Sequence, residues 1–517
     1  MKNARPVPIL SCRQAETVES ELLKDESENW SAIVRAGSGC AARFLDEFGA
    51  RLPERPRILA LIGKGHNGAD ASVAAREILA RFPGAKIAAA HADENEMRKL
   101  ALRAFRQLES SAPGMEKMSL SALPALASRR PHFDAMIEGL VGMNFRPPAK
   151  PHIQDAIRAA NEIGASVKIS MDIPAGVSEE TGDSPAFRAD VTYANGIAKK
   201  PLFEERNLEF AGRIRYVDTG FFDGNSPAAR RFEAEADEFV ARPKMLSKLN
   251  ALRNAQSDKR TYGHLWIFAG SERFPGAAML NVTAALRAGV GLVTAFVPKS
   301  LVPGFAAALP SAIWAGCEVG ESGQMLPENL KLLDGMKTPT AILAGSGLTS
   351  AKDAREFVAG ALAKFPEVPR VLDADAITPQ LAKLERSAPL LMTPHAGEFL
   401  RLAPKADDEC LRIACKEYGA HIALKGHVTR VCGGGAITRC TEGGPILSRG
   451  GSGDVLAGIC GALAGRTDLK MGDGEEILCC ASTWLGLAAE CAFAEFGENV
   501  ATGKEVADRL GGALKLI

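Results

Sequence analysis

Short apolar runs alternate with stretches of helical period through the first half of the chain. Residues 57–63, RILALIG, are typical of a buried parallel strand, and residues 69–82 have the period of the helix expected after it. Further apolar runs that predict strands lie at residues 86–92, 133–142 and 167–173. Strands that alternate with helices form parallel sheets covered on both faces. The pattern therefore predicts an α/β fold for the first half.

The pattern changes between residues 222 and 260 and then resumes. This stretch is polar, strongly charged and poor in strand-forming residues, which predicts a linker containing one helix. Apolar runs typical of strands return at residues 264–270, 291–298, 341–347, 370–377, 390–398 and 421–426. We therefore predict two α/β domains, over residues 1–224 and 236–517.

The balance of charges bears on which partners the chain binds, and the cysteines bear on the compartment in which it works. The chain has 62 basic and 62 acidic side chains, so its charge gives no reason to expect binding to nucleic acid or to an anionic membrane. None of the 11 cysteines belongs to a C-x-x-C pair, which favours free thiols in a reducing compartment. The first residues lack the apolar core of a signal peptide, and no apolar run approaches the ~18–20 residues of a membrane helix. We expect a soluble, cytoplasmic homo-oligomer.

A glycine-rich loop, GKGHNGAD at residues 63–70, joins the first predicted strand to its helix. Glycines let the backbone approach a phosphate, and the free N–H groups of a first helical turn attract anions. Gly63, Gly65 and Gly68 match the G-x-G-x-x-G dinucleotide fingerprint, with Asp93 and Glu94 as candidate ribose ligands. A glycine turn of purely steric origin would have the same pattern, so both interpretations stay open.

Two further loops follow predicted strands. Residues 137–148 place an acid at a strand end before a glycine turn that carries Arg146, and residues 171–182 place Asp172 before a rigid Pro-x-Gly turn. Ligands of open α/β sheets bind at the carboxyl ends of the strands, so these loops should converge on one crevice. Asp172 is predicted to belong to this site, although a turn-capping role would suit the same position.

Residues 8–220 resemble the NAD(P)H-hydrate epimerase family. The resemblance is carried by HNGADA at 66–71, EGLVGMNF at 138–145, DIPAG at 172–176 and the opening ILSCRQAETVESELL. It implies a Rossmann-like, three-layer domain that binds hydrated NADH or NADPH, abbreviated NAD(P)HX, near a potassium ion. Asp172 would bind this substrate and exchange protons as the ring carbon C6 inverts between its R and S configurations. The other implied substrate contacts are His66, Asn67, Gly68, Ala69, Asp70, Gly142, Met143, Asn144, Phe145 and Arg146.

The resemblance also implies that Asn67, Glu138 and the carbonyl of Ala175 bind the potassium ion. The chain departs from the family pattern with Ala69 and Ala71 in place of glycine, His66 in place of asparagine and Glu138 in place of aspartate. Glu138 keeps the negative charge but reaches about one methylene further, which hard cations with many oxygen ligands tolerate. We therefore expect epimerase activity with an altered dependence on potassium.

The run GGSGDVLAGICGAL at residues 450–463 is the most specific motif of the second half. Its glycines expose backbone N–H groups at a helix N-terminus, where they can hold a phosphoryl group during transfer. Asp454 can there accept a proton from an acceptor hydroxyl, and phosphoryl transfer needs mainly positioning, charge neutralisation and such a base. An acid favoured only by the helix dipole would account for Asp454 but not for the glycine run.

Residues 240–517 resemble the ADP- or ATP-dependent NAD(P)HX dehydratases of the ribokinase-like superfamily. The motifs are those at residues 263–293, 343–347, 371–377, 393–398 and 424–429, all ahead of the GSGD loop. The resemblance implies that Ala277, Gly347, His395 and Asp454 contact the hydrated nicotinamide nucleotide. It further implies a magnesium ion, held through water by Glu398. The implied contacts to the adenine nucleotide are Lys425, Gly426, His427, Val428, Thr429 and Gly453.

The implied reaction phosphorylates the C6 hydroxyl with help from Asp454, and loss of phosphate restores the dihydronicotinamide. ADP would be converted to AMP and phosphate, and only the S epimer would react. His395 could instead be a structural histidine beside Pro394.

Three other functions remain open from the sequence. GSGD loops also serve small-molecule kinases, whose phosphorylated product is stable, and such a kinase would leave the first half a non-catalytic binding domain. A conventional dehydrogenase would account for the G-x-G-x-x-G match, and a scaffolding role for the first half would account for its motif departures. Phosphate release, oxidation of NADH and epimer conversion respectively test these alternatives.

Overall fold

The computed structural model describes residues 5–180, 182, 184–224 and 226–517. The chain divides into two compact units, an N-terminal unit, Val7–Ala236, and a C-terminal unit, Asp237–Ile517, to which Arg5 and Pro6 also belong. Both units are built from mainly parallel strands and helices, which confirms the predicted α/β fold class.

The N-terminal unit is organised around a wholly parallel sheet. Its strands are β1 (Val7–Leu10), β2 (Arg57–Ile62), β3 (Lys86–His91), β4 (Glu116–Ser119), β5 (His132–Phe133), β6 (Ala135–Gly139), β7 (Gly164–Ala165), β8 (Lys168–Met171), β9 (Val191–Asn195), β10 (Ala198–Lys199) and β11 (Arg213–Val217). Seven of them pair in the order β11–β9–β8–β6–β2–β3–β4. The pairs β1–β10 and β5–β7 are also parallel.

Helices cover both faces of this sheet. They are α1 (Cys12–Leu22), α2 (Glu26–Phe48), α3 (His66–Arg81), α4 (Lys99–Ser111), α5 (Leu123–Ser128), α6 (Pro151–Glu162), α7 (Leu208–Ala211) and α8 (Pro227–Glu235). Helix α3 packs between α2 and α4 and against β2 and β6, whereas α5 and α6 share an apolar core with Leu59 and Leu61 of β2. Because β2 is buried on both faces, its apolar run is continuous rather than alternating.

The strands of the C-terminal unit form a second, larger arrangement. They are β12 (Glu238–Val240), β13 (His264–Phe268), β14 (Leu292–Pro298), β15 (Ile313–Cys317), β16 (Ala341–Ala344), β17 (Arg370–Leu372), β18 (Leu390–Met392), β19 (Ala420–Leu424), β20 (Thr429–Cys432) and β21 (Ile437–Cys440). Their order is β12–β21–β20–β19–β18–β17–β16–β13–β14–β15. Strand β20 is antiparallel to both of its neighbours, and the other pairs are parallel.

Two helical layers enclose these strands. The helices are α9 (Pro275–Arg287), α10 (Val302–Ala308), α11 (Lys352–Lys364), α12 (Pro379–Ala382), α13 (Ala396–Phe399), α14 (Asp408–Tyr418), α15 (Ser452–Gly465), α16 (Gly474–Phe496), α17 (Gly503–Asp508) and α18 (Leu510–Ala513). One layer contains α15 packed against α9 and α16. On the other face an aromatic core forms, in which Phe268 stacks on Phe296 with ring centroids 4.5 Å apart and Phe357 meets Phe268 edge-on.

The stretch predicted to be a linker containing one helix does contain a helix, α8, and the two units divide within it, but the helix is packed into the N-terminal unit. Helix α8 buries Phe232 in a core shared with Leu10 and Val18. Its N-terminus is capped by the Ser226 hydroxyl, which accepts a hydrogen bond from Ala229 N–H at 3.1 Å and donates to the Glu21 carboxylate at 3.2 Å. The high charge of this stretch reflects an amphipathic helix with one buried face, and the units divide at residue 236.

Helix α16 is long and apolar enough by length and composition to cross a membrane, although its sequence has no uninterrupted apolar run of that length. Of its most apolar window, 83% is buried inside the protein, as expected for the core helix of an α/β unit. All 11 cysteines, which lie among the described residues, are free thiols, as predicted.

The buried face of α8 gives a first prediction. Phe232→Ala should lower the free energy of unfolding of the N-terminal unit by about 3 kcal/mol, because it removes a buried aromatic ring. Calorimetric unfolding of the full chain measures this change. The matched control, Glu235→Ala, alters an exposed position of the same helix and should change stability by less than about 0.5 kcal/mol. Equal, small effects of both substitutions would contradict a structural role for α8.

Candidate active sites

The N-terminal unit contains a cavity of about 1100 Å³ at the carboxyl ends of its central strands. The loops after β2, β6 and β8 meet there because these strands are parallel. Of the predicted substrate contacts, those that line the cavity are His66, Asn67, Asp70, Gly142, Met143, Asn144, Phe145, Arg146 and Asp172. Gly68, Ala69, Glu138 and Ala175 are buried and are not among the lining residues.

Two glycines of the G-x-G-x-x-G match have a steric explanation. A Cβ atom at Gly63 would lie 1.9 Å from the carbonyl oxygen of Leu140, and one at Gly68 would lie 2.1 Å from the carbonyl oxygen of Gly63. Gly65 has open space around it and lines the cavity. Close backbone approach is therefore sufficient to require two of the three glycines.

Glu138 joins the loops that surround the cavity. Its side chain is fully buried, and Oε1 accepts a hydrogen bond from Leu140 N–H at 2.6 Å. Oε2 accepts from the Ser170 hydroxyl at 2.8 Å and from Ala175 N–H at 3.2 Å. Burial raises the pKa of Glu138 to about 7, although these three hydrogen bonds lower it. The longer side chain thus connects β6 to β8 and to the loop beyond β8.

Asn67 and Asp70 each bury a polar atom in the first turns of α3. Asn67 donates from Nδ2 to the Val141 carbonyl at 2.9 Å, whereas its Oδ1 has no hydrogen-bond partner among the described residues. Asp70 Oδ1 is also buried and accepts no hydrogen bond within the described part of the chain. Burial, together with the nearby charges of Asp172 and Glu19, raises the pKa of Asp70 well above its usual range.

Asp172 occupies a strained backbone position at the end of β8. Its φ angle is +65°, in the left-handed region that non-glycine residues seldom adopt, and its N–H donates to the Tyr193 carbonyl at 2.8 Å. Its carboxylate forms a short ion pair with the ammonium of Lys199. Lys199 Nζ also lies 3.3 Å from the Asn195 carbonyl oxygen.

The sequence interpretation missed two charged residues of this cavity. Lys199 and Glu19 both line it, and neither belongs to a glycine loop. Burial raises the pKa of Glu19 to about 7, and the charge of Lys199 partly offsets this. The available signal was a lysine within the apolar segment 191–199, where an unpaired charge would be costly.

In the C-terminal unit, Asp454 lies in the first turn of α15. Gly451, the residue before this helix, has a φ angle of +97°, which a glycine adopts without strain. Asn281 Nδ2 donates to the Asp454 carbonyl at 2.7 Å and so connects α9 to this turn. Burial and the Asp373 carboxylate raise the pKa of Asp454 to about 6, against the opposing effects of Lys425 and Ser346.

Asp373 and Lys425 form the charged centre beside Asp454. Asp373 is buried and accepts hydrogen bonds from the Ser346 hydroxyl at 2.9 Å and the Thr393 hydroxyl at 2.8 Å. Lys425 Nζ lies 3.2 Å from Asp373 Oδ1. Burial lowers the pKa of Lys425, but the charges of Asp373 and Glu398 outweigh it and raise the pKa above its usual value. The sequence pattern indicates the DADAI segment as a motif but assigns no role to Asp373.

His395 and Glu398 cap the short helix α13 together. His395 Nδ1 accepts from Gly397 N–H at 2.9 Å, and Glu398 Oε2 accepts from His395 N–H at 2.8 Å. His395 therefore has a structural role through Nδ1, which caps the helix. Its side chain is nevertheless 60% exposed. Glu398 Oε2 also lies 3.7 Å from Lys425 Nζ, so the predicted magnesium residue adjoins the charged centre.

The remaining predicted contacts fall into three places. Gly347 adopts a φ angle of +68°, and a Cβ atom there would lie 2.8 Å from Ala277 Cβ, so these two residues adjoin. A Cβ atom at Gly453 would lie 3.2 Å from Lys425 Nζ, which places the glycine loop against the charged centre. The residues predicted to bind the adenine nucleotide follow β19 or begin β20, namely Gly426, His427, Val428 and Thr429.

The cation sites were tested on the donor atoms present. Within the described ranges, no three His, Cys, Asp or Glu side chains are grouped to hold a metal ion without other ligands. Asn67 Oδ1, buried and unpartnered, fits a potassium ion. Glu138 already uses three of about four acceptor sites on its carboxylate, and the Ala175 carbonyl accepts from Phe187 N–H at 2.8 Å. Magnesium, which keeps several waters and binds one or two carboxylates plus phosphates, fits the Glu398 region.

Comparison with known proteins extends over most of the chain. Two family models match, YjeF-related protein N-terminus over residues 32–201 and NAD(P)H-hydrate dehydratase over residues 265–509. The bifunctional NAD(P)H-hydrate repair enzyme Nnr of Gloeobacter violaceus is 30% identical over 473 residues, which is 89% of each chain. The enzyme of the same name from Mycobacterium leprae is 30% identical over 450 residues, or 83% of each chain.

A solved structure of the ADP/ATP-dependent NAD(P)H-hydrate dehydratase from Bacillus subtilis, co-crystallised with ATP and Mg²⁺, is 26% identical. It covers 52% of this chain and 95% of its own, with a TM-score of 0.43. On the similarity to the full-length relatives, the chain belongs to the family of bifunctional NAD(P)H-hydrate repair enzymes.

Proposed function

We propose that the chain repairs hydrated NADH and NADPH with one activity in each unit. The N-terminal unit interconverts R- and S-NAD(P)HX, and the C-terminal unit dehydrates S-NAD(P)HX with ADP as phosphoryl donor, releasing AMP and phosphate. The observation that carries this proposal is Asp454 in the first turn of α15, beside a lysine paired with Asp373.

The dehydratase step uses Asp454 as a general base. The C6 hydroxyl oxygen attacks the terminal phosphorus of the nucleotide, its proton passes to Asp454, and AMP leaves. Loss of phosphate from C6 and of a proton from C5 then restores the C5–C6 double bond. The backbone N–H groups at the start of α15 and the ammonium of Lys425 stabilise the negative charge of the transferring group.

Magnesium would neutralise charge on the nucleotide phosphates when bound. We propose that Glu398 holds it through water and that Gly426 to Thr429 with Gly453 contact the adenine nucleotide. Ala277, Gly347 and the exposed ring of His395 would contact the hydrated nicotinamide. These assignments are supported by the proximity of Glu398 and Gly453 to Lys425.

In the N-terminal unit, we propose that the cavity holds NAD(P)HX, with Asp172 at the C6 carbon. Potassium would bring positive charge to this cavity, with Asn67 Oδ1 as its side-chain ligand. Glu138 and the Ala175 carbonyl already accept hydrogen bonds. They would bind potassium only through the lone pairs that these hydrogen bonds leave free. Gly68, Ala69 and the other residues of the α3 start would position the loop.

Replacement of Asp454 tests the dehydratase assignment. Asp454→Asn should retain the fold and nucleotide binding but slow dehydration by about 10²–10⁴-fold, because it removes the general base. Recovery of NADH absorbance from NADHX with ADP, and in parallel with ATP, measures the rate. Asp334→Asn, which changes an exposed carboxylate of the same unit, should leave it unaltered. Near-normal NADH recovery by Asp454→Asn would refute the assignment, and a stable phosphorylated product would favour the kinase alternative.

The pKa of Asp454 gives a pH prediction. A base must be unprotonated in order to accept a proton, and this carboxyl has a pKa of about 6 in the free enzyme. The kcat/KM for dehydration should therefore be constant above pH ~7 and fall about tenfold per pH unit well below pH 6. Phosphate release, which does not depend on the acid stability of NADH, provides the measurement. A flat profile down to pH 5 would exclude Asp454 as the base.

Cation dependence tests the role of Glu138. Glu138→Asp shortens the side chain and should break at least one of its hydrogen bonds, which frees a carboxylate oxygen for potassium. We expect R-to-S conversion by the variant to depend more steeply on potassium than conversion by the wild type, measured without nucleotide so that dehydration is absent. Ser170→Ala removes one of the same hydrogen bonds without shortening Glu138 and serves as the control. Identical potassium curves for all three proteins would contradict this account.

A further inference from the structure

Lys199 is the least exposed of the charged residues that line the N-terminal cavity in the described part of the chain. Its side chain is 1% exposed, and that of its partner Asp172, which also lines the cavity, is 13% exposed. The ammonium is therefore held away from water, with its contacts made to the Asp172 carboxylate and the Asn195 carbonyl. Burial of a lysine at such a position is costly unless its charge is matched.

We infer that Lys199 is a positioning residue for the epimerase reaction: its buried ammonium pairs with the Asp172 carboxylate and fixes it at the end of β8. This inference rests on the proposed epimerase function and adds a residue to it. It accounts for the left-handed backbone of Asp172, since strain of this kind persists only where surrounding interactions determine the conformation.

The charges that face Lys199 come from several elements. Asp172 follows β8, while Glu19 and Cys12 belong to α1. Burial by itself lowers the pKa of Lys199, but the charges of Asp172 and Glu19 outweigh it, so the pKa lies above its usual value. The lysine thus stays charged at neutral pH and provides a permanent counter-charge for Asp172.

Inversion at C6 requires two proton transfers. The hydroxyl of one epimer takes up a proton and leaves as water, while the N1 lone pair forms an N1=C6 double bond. Water then adds to the opposite face, the N1=C6 pair returns to N1, and the proton lost by the added water passes to Asp172. The composition of the ring is unchanged, and no oxidant or reductant is needed.

Asp70 is the group that can supply the first proton. It lines the same cavity, its Oδ1 has no hydrogen-bond partner in the described part of the chain, and burial raises its pKa well above the usual range. Two carboxyl groups held in opposite protonation states are the arrangement that acid–base pairs use. A proton returned from Asp172 to Asp70 through water in the cavity resets both groups.

A purely structural ion pair is the alternative, and Lys199→Gln separates the two. Glutamine keeps a hydrogen-bond donor for Asp172 but removes the positive charge that pairs with its carboxylate. We expect kcat for R-to-S conversion at pH 7 to fall by about 10²-fold with KM changed less than about threefold, and the loss to diminish as pH rises. Lys199→Arg keeps the charge and should restore the wild-type pH profile.

The experiment uses the full chain without nucleotide and starts from R-NADHX. The epimers are separated by chromatography at values from about pH 5.5 to about pH 8.5, over which the pH profiles of kcat are compared. Wild-type conversion is the reference, and its absence would overturn the proposed epimerase function and this inference with it. Given wild-type conversion, an unchanged kcat in Lys199→Gln would overturn the inference alone. Equal losses in Lys199→Gln and Lys199→Arg, with the wild-type pH profile in both, would assign a structural role and also overturn it.

Folding is monitored by thermal melting of each variant. If Lys199→Gln does not melt cooperatively, Lys199→Met provides a second neutral side chain of similar length. Failure of both neutral variants to fold, together with full activity of Lys199→Arg, would show that the charge is needed for folding and would overturn the inference. Recovery of activity in a folded neutral variant at high pH supports it.

Discussion

Parallel strand pairing is the constraint on which both candidate sites depend. Because β2, β6, β8 and β9 run in one direction, the residues that follow them meet at one edge of the N-terminal sheet. The same holds for β16, β17 and β18 in the C-terminal unit, where the hydroxyls of Ser346 and Thr393 both donate hydrogen bonds to the Asp373 carboxylate. Residues distant in sequence thereby become neighbours without long, flexible connections.

Each site pairs a lysine, buried in the N-terminal unit and half-buried in the C-terminal unit, with an aspartate at a strand end. Lys199 pairs with Asp172 in one unit and Lys425 with Asp373 in the other. Such pairs seldom stabilise a fold relative to apolar residues, since desolvation opposes the attraction, but they keep charges fixed where solvent would otherwise reorganise. In both units the charge pair lies beside a second carboxyl group whose pKa is raised, Asp70 or Asp454. Fixed charge next to a carboxyl group of raised pKa suits proton transfer.

The sequence predicted what depends on local pattern. Continuous apolar runs identified β2 and β13, and glycine loops identified where α3 and α15 lie, although α3 begins at His66 rather than at residue 69. The sequence pattern assigned no role to three charged residues, Lys199, Glu19 and Asp373. Their function depends on partners that other strands or helices bring close to them. The helix expected in residues 222–260 is present as α8, but its packing was not predicted, because it buries only a few residues and charge dominates its composition. Glu138 was identified correctly as a strand-end acid, but its bonds to Leu140, Ser170 and Ala175 could be seen only in three dimensions.

Two backbone segments pass close to each other at Gly63, so glycine is required there for steric reasons alone. The Leu140 carbonyl approaches so closely that no side chain fits at Gly63, and the Gly63 carbonyl in turn excludes one at Gly68. Any lineage that keeps this crossing must keep both glycines, whether or not a pyrophosphate ever lies over the loop. A G-x-G-x-x-G match can therefore be retained in a protein family because two backbone segments lie in close contact. It would persist after a change of ligand and would survive even the loss of catalysis.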